Sequence, residues 1–282
     1  MKLASIEYRG AVCLARVEGT QAGLPNPDRE WPTSIQGLMK IWNSDRGFPE
    51  WIGGEQIPLA EARMLSPITG MEKVICIGTN YADHAREMGG APPEIPVVFN
   101  KFPSTIIACG ADVCLPPISQ QVDFEAELVV VIGRAGKNIP RESAWQHVFG
   151  YCCGNDISAR DWQKGKPGGQ WLLGKTFDTF APLGPIIVTA DEVPNPHSLR
   201  IELRLNGQTM QSSNTNQLIF PVDFLISHIS QFVTLKPGDL IFTGTPAGVG
   251  AGRTPPLFLK PGDELEVEIE GLGVLKNRVV AG

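Results

Sequence analysis

The chain has 282 residues, 42% of them hydrophobic and 19% charged, with a net charge of −6. That mix builds a globular core, and the negative balance argues against nucleic acid or a membrane surface as a partner, because both select a basic face. The longest aliphatic run, residues 128–132, is far too short to span a bilayer.

Glu7 and Arg9 interrupt any apolar stretch at the start, so no signal peptide is expected. The six cysteines form no C-x-x-C pair. They read as reduced thiols in apolar surroundings, which suits the cytoplasm or a matrix-like compartment.

Residues 11–17 read as a strand. The chain then turns polar and proline-rich, with Pro25, Pro27, Pro32, Pro49 and Pro58. A short helical piece over 59–64 stops at Ser66-Pro67. A boundary near residue 70 is expected. It separates a small N-terminal domain, residues 1–69, too short to hold much core alone, from a main domain over 70–282. From Val74 onward short β-rich runs alternate with glycine and proline turns: 74–77, 128–132, 185–188, 201–205, 240–243 and 265–269. Asn206-Gly207 and the stretch 271–273 read as hairpin turns. Helices are expected over 81–88, 141–149 and 224–233. With no regular strand-helix alternation, a doubly wound sheet is not expected. An α+β fold on a curled, mostly β body is.

Residues 122–133 read Val-Asp-Phe-Glu-Ala-Glu-Leu-Val-Val-Val-Ile-Gly. Side chains on a strand alternate, so Asp123, Glu125 and Glu127 share a face. The aliphatic run behind them suggests cover on both sides. Carboxylates crowded there repel, lose hydration and protonate unless a cation joins them. A hard dication answers this, and an all-oxygen set suits Mg²⁺, Mn²⁺ or Ca²⁺ rather than zinc. The same alternation also describes a solvent-facing acidic stripe, and spacing alone leaves both readings open. A third ligand is needed. The glycine-led stretch 154–163 packs Asp156, Arg160 and Gln163 together, and it reads equally as a surface turn with Ser158 as a helix cap.

His84 and Glu87 lie three apart on a short helix, hence on one face. A carboxylate beside an imidazole orients its proton and makes a usable base, although the pair is also what an exposed helix carries by chance. Thr79 or Asn80 is the expected cap, Gly89-Gly90 the stop, and Pro92-Pro93 suggests a hinged lid. Residues 169–176, Gly-Gln-Trp-Leu-Leu-Gly-Lys-Thr, match the phosphate-loop pattern literally. That keeps nucleotide binding as a remote alternative, but the lead-in is polar loop and the middle holds Trp171 and two leucines. Lys175 stands where an apolar segment meets this loop, a place from which a lysine binds an oxyanion.

Five blocks follow in order: Ile77-Gly78-x-Asn80-Tyr81-x-x-His84-x-x-Glu87; Val122-Asp123-Phe124-Glu125-Ala126-Glu127-Leu128; Asn155-Asp156-x-Ser158-Ala159-Arg160-Asp161-x-Gln163; Gly174-Lys175-x-Phe177-Asp178; and Thr243-Gly244-Thr245-Pro246-x-Gly248-Val249-Gly250. Together they resemble the fumarylacetoacetate hydrolase superfamily from about residue 72 to the end. Stretches 170–185 and 211–217 look closest to its domain-containing 2 group. The resemblance implies a mixed β-sandwich roll, a homodimer, and a divalent ion, Mg²⁺ first, on Glu125, Glu127 and Asp156. It implies His84, Glu87 and Lys175 as catalytic groups, and Arg160, Gln163 and Thr245 as substrate contacts. Tyr81 and Lys101 are further contacts. The implied substrate is a small 2-oxo or β-diketo acid handled through a stabilised enolate. Hydrolytic C–C cleavage of an acylpyruvate stands first, and keto–enol tautomerisation or decarboxylation of oxaloacetate is the alternative.

Overall fold

The computed structural model describes every residue except Asn43, Ser44, Arg46, Met88 and Gly90. Among the described residues one long sheet runs Gly53–Pro58, Gln21–Pro25, Ala11–Glu18, Lys2–Tyr8, Ala181–Thr189, Val148–Asn155, Ala126–Ile132, Leu240–Phe242, Val74–Gly78 and Val97–Lys101. Along this path only Leu240–Phe242 and Val74–Gly78 run parallel. A second sheet orders Gln208–Asn214, Arg200–Leu205, Glu264–Ile269, Gly273–Ala281 and Asp112–Leu115. Helices are few and short, and the fold is α+β. No described helix is long and apolar enough to cross a membrane.

The strand Ala126–Ile132 is the centre of the molecule. Its β-branched run suits a pleated surface, and all seven residues are buried. Alternation sends Leu128, Val130 and Ile132 into one core and Val129 and Val131 into another. The first core also takes Ile201, Leu203, Leu265, Val267 and Leu275 from the second sheet. The other takes Ile35, Leu38 and Met39 from the helix Ile35–Ile41. Each buried aliphatic side chain contributes about 1.5–3 kcal/mol, so this strand is held from both faces. The N-terminal strands join the same sheet through the antiparallel pairing of Lys2–Tyr8 with Ala181–Thr189.

Several expected elements differ. Residues 141–149 form a 3₁₀ turn, Arg141–His147, that feeds the strand Val148–Asn155. Val148, Phe149 and Tyr151 are β-favouring, and burial between two strands outweighs the local helical pattern. The expected helix over 59–64 is a 3₁₀ turn, Leu59–Glu61, and a short strand, Arg63–Met64, paired to Lys2–Tyr8. The helix over 81–88 is Ala82–Glu87; its expected end at Met88 and the stop at Gly90 lie outside the described residues. The helix over 224–233 starts earlier and ends at Ser230. The Asn206-Gly207 hairpin is as predicted, with φ of 52° and 78° matching the mirror-image turn that suits strand twist.

At the start of Val222–Ser230 the Val222 N–H donates to His197 Nε2 at 3.0 Å. Only a neutral imidazole accepts there. Burial, reinforced by Arg141 and opposed by Asp223, holds His197 below the usual histidine range. The folded group is therefore harder to protonate than the unfolded one. Its contribution is present above about pH 6.5 and is lost as pH falls through the folded value. We expect melting temperature to decline on acidification from pH 7 to 5, with a shallower decline in His197→Gln, measured by calorimetry across that range.

Candidate active site

The carboxylates of the central strand are positioned by a break in its ladder. Val122–Asp123 pairs with Ser158–Ala159, and the main strand resumes only at Ala126. Between them the Glu125 N–H donates to Asn155 Oδ1 at 3.0 Å and the Ala126 N–H to Gln211 Oε1 at 2.9 Å. Side-chain amides thus replace the missing ladder bonds, and the chain is free to turn Glu125 inward. Asp156 follows the paired strand Val148–Asn155, and its N–H donates to Glu125 O at 2.9 Å. One oxygen each from Glu125, Glu127 and Asp156 lie within 4.8 Å of one another, and all three residues are buried.

Three cations surround this trio. Lys175 Nζ donates to Glu125 Oε2 at 2.8 Å and to Asp156 Oδ2 at 2.7 Å. Arg160 binds Glu125 Oε1 at 2.6 Å through one nitrogen, Asp123 Oδ2 at 2.9 Å through Nε, and Gln163 Oε1 at 2.9 Å through the third. Lys101 Nζ lies 2.7 Å from Asp156 Oδ1 but directs its protons to the carbonyls of Ile157, Lys175 and Phe180. Asp156 Oδ1 is consequently a buried oxygen with no hydrogen bond among the described residues. Glu127 has one, from the Gly244 N–H at 2.7 Å.

The charges respond unequally. Burial raises the Glu125 carboxyl, but Lys175 and Arg160 outweigh it and leave it well below the carboxylate range. Glu127 goes the other way: burial first, then Asp156 and Glu125, push it far up. Burial lowers the Lys175 amine, yet Asp156 and Glu125 carry it above the lysine range, while Lys101 stays below, burial dominating. An under-bonded Asp156 oxygen facing a Glu127 that resists ionisation is the electrostatic signature of a place for a cation. The three carboxylates fit a hard divalent ion in both donor type and charge.

His84 Nδ1 lies 2.9 Å from Glu87 Oε2, and Glu87 Oε1 accepts the Gly248 N–H at 2.9 Å. Gly248 has φ 103° and approaches Met210 so closely that a Cβ would stand 2.2 Å from its carbonyl oxygen, so a side chain there would move the loop that seats Glu87. Asn80, an expected helix cap, instead spans to Phe220 and to the Thr243 carbonyl, fixing the helix to the sheet.

His84, Glu125, Arg160, Gln163, Lys175 and Thr245 line one inner cavity of about 40 Å³, with Phe99 and Trp171 as its apolar wall. An outer cleft of about 360 Å³ continues from it past His84 and Arg160. Glu127 and Asp156, the other two acids of the trio, do not line the cavity, and neither does Lys101. Tyr81 is fully buried, does not line it either, and has a hydroxyl without a hydrogen bond among the described residues. The segment 169–176 forms the helix Trp171–Lys175 after a loop, and Lys175 faces carboxylates rather than an open anion cradle.

One contributor carries no local signal in the sequence. Gln211 reaches from the second sheet to Ala126 and also donates to Thr245 Oγ1 at 2.8 Å. Asp123, which the alternation places beside the other two acids, does not line the cavity. It accepts the N–H groups of Gly250 and Ala251 and holds Arg160.

A β-rich α+β body with a buried carboxylate trio, its cations and a histidine–carboxylate pair defines a candidate enzyme site whose three acids could hold a metal ion. The chain belongs to the fumarylacetoacetate hydrolase family: the model for the fumarylacetoacetate (FAA) hydrolase C-terminal domain matches residues 73–280. It is 56% identical over 224 residues to a Bos taurus protein named oxaloacetate tautomerase FAHD2A, mitochondrial, covering 79% of this chain and 71% of that one. It is 43% identical over 279 residues to the fumarylacetoacetate hydrolase domain-containing protein 2 homolog of Dictyostelium discoideum, covering 94% and 91%. A solved fumarylacetoacetate hydrolase from Exiguobacterium antarcticum superposes with TM-score 0.87 at 37% identity over the whole of both chains.

Proposed function

We propose that this chain is a Mg²⁺-dependent enzyme that interconverts the keto and enol forms of oxaloacetate. The order of the two sequence readings is thereby reversed: tautomerisation now stands ahead of acylpyruvate hydrolysis. The observation that carries this is the opening of His84, backed by Glu87, onto the same 40 Å³ chamber as Glu125 and Lys175. That volume is on the order of a few water molecules. It suits the head of a small 2-oxo acid and leaves little space beside it for an attacking water. Names of relatives above 50% identity support the same chemistry.

The keto and enol forms differ by one proton at C3 and one at the C2 oxygen. With Nδ1 turned to Glu87, His84 presents Nε2 to C3 and takes or returns that proton. Lys175 stands on the oxygen side, where its ammonium stabilises the charge that develops, assisted by Gln163 and Thr245. Arg160 is the guanidinium that orients the acid. Glu125, Glu127 and Asp156 would hold the divalent ion, which would supply Lewis-acid stabilisation of the enolate charge.

A homodimer fits the exposed apolar strip of Ile95, Val98, Phe102 and Phe232 beside the sheet's edge strand; light scattering on a sizing column checks it. A reducing compartment, cytoplasmic or mitochondrial, suits six free thiols.

The test is a side-by-side assay with Mg²⁺ and Mn²⁺: decay of enol-oxaloacetate absorbance against cleavage of an acylpyruvate panel. We expect marked acceleration of the first and little of the second. Acylpyruvate cleavage without enol acceleration would restore the hydrolytic reading.

A further inference from the structure

We infer that Lys164 recognises a second carboxylate on the substrate, which makes this a site for 2-oxo dicarboxylates. The inference rests on the oxaloacetate reading above and adds to it the residue that takes the far carboxylate.

Three of the four cations around the cavity are already engaged. Lys175 is held by Glu125 and Asp156, Arg160 by Asp123, Glu125 and Gln163, and Lys101 by Asp156 and three carbonyls. The fourth, Lys164, has no side-chain hydrogen bond or ion pair among the described residues. It lines both the inner cavity and the outer cleft, a position shared among the described residues only by His84 and Arg160. These three residues form the neck through which a substrate's chain must pass once its 2-oxo-acid head faces Glu125 and Lys175.

The placement is fixed by the backbone. Lys164 ends the helix Arg160–Gln163, and its N–H donates to Arg160 O at 3.0 Å. The next residue, Gly165, turns so tightly that a Cβ would stand 2.5 Å from Asp161 O. Lys164 is exposed at the neck, and partial burial and the neighbouring Arg160 charge, opposed by Glu125 and Asp123, hold its amine below the ordinary lysine range. A cation beside a cation, without an anion of its own, gains most from an anionic ligand. A carboxylate on the carbon next to the reacting one would supply it. An alkyl end would leave the ammonium unmatched.

The test compares two four-carbon acids, oxaloacetate and 2-oxobutanoate, by calorimetric titration into the full Mg²⁺-loaded chain, Lys164→Gln and Lys164→Arg. The parent is expected to prefer the dicarboxylate. Lys164→Gln should reduce that preference about ten-fold, equal to about 1.4 kcal/mol, and Lys164→Arg should retain most of it. An unchanged preference in Lys164→Gln, equal weakening of both acids, or no preference in the parent would overturn the inference. Binding needs no turnover. If the parent fails to accelerate enol decay, the tautomerase reading falls while the titration still decides Lys164.

Discussion

Glu127→Gln is expected to make the chelator-treated protein melt higher and, at the same time, to remove its metal-dependent activity. Glu127 is buried beside Asp156 and Glu125, and its carboxyl is pushed far up by burial and by those two charges. A glutamine keeps an oxygen for the Gly244 N–H, which now lies 2.7 Å from Glu127 Oε2, and turns an amide N–H toward the remaining carboxylates. Replacing a poorly compensated buried charge is often stabilising, by about 1–2 kcal/mol here, which is a few degrees in a chain of this size. The sign with pH follows. A carboxyl whose folded value lies above its unfolded one contributes stability below the unfolded value and loses it as pH rises through the folded one. The metal-free parent should therefore lose stability from about pH 4.5 upward relative to Glu127→Gln. Bound ion reverses this order, because the same oxygen then helps hold a dication. Activity should drop about 100-fold or more, since Lewis-acid stabilisation is worth several kcal/mol. Calorimetry with and without Mg²⁺, beside the enol assay, reads both halves. A variant that melts no higher in chelator yet still gains stability from Mg²⁺ would contradict the role given to Glu127.

His84→Asn should lower kcat by about 10²–10⁴ while leaving the metal-induced rise in melting temperature intact. The imidazole bonds Glu87 and touches none of the three carboxylates through a hydrogen bond, so its loss removes the proton carrier and not the ion site. Glu87→Gln should cost nearly as much in kcat. The amide still accepts from Gly248, but it offers His84 Nδ1 a donor where the carboxylate was an acceptor, which favours the tautomer with Nε2 protonated. Stopped-flow kinetics and thermal shifts on both variants separate the outcomes. Equal loss of activity and of the metal shift in His84→Asn would mean that the histidine supports the ion site rather than the proton.

The sequence is most legible where one interaction dominates. The run from Leu128 to Ile132 is buried on both faces, and its hydrophobicity alone announces that. Asn206-Gly207 is legible because only its positive φ values close that hairpin. The residues 141–149 are less so, since Val148 and Phe149 take their conformation from strands far along the chain. At the site, alternation pairs Glu125 with Glu127 correctly. It also groups Asp123 with them, because it assumes an unbroken strand. The break depends on Asn155 and Gln211, which lie 30 and 85 residues from their bonding partners. No local pattern encodes such amides. Lys164 is equally hidden, within the polar Gln-Lys-Gly-Lys-Pro-Gly loop.

The most direct test of the carboxylate trio is a Mg²⁺ titration of chelator-stripped protein while the decay of enol-oxaloacetate is followed. The site described here predicts a saturable acceleration that appears with one bound ion per chain and is absent from Glu127→Gln. Full acceleration in excess chelator would contradict it.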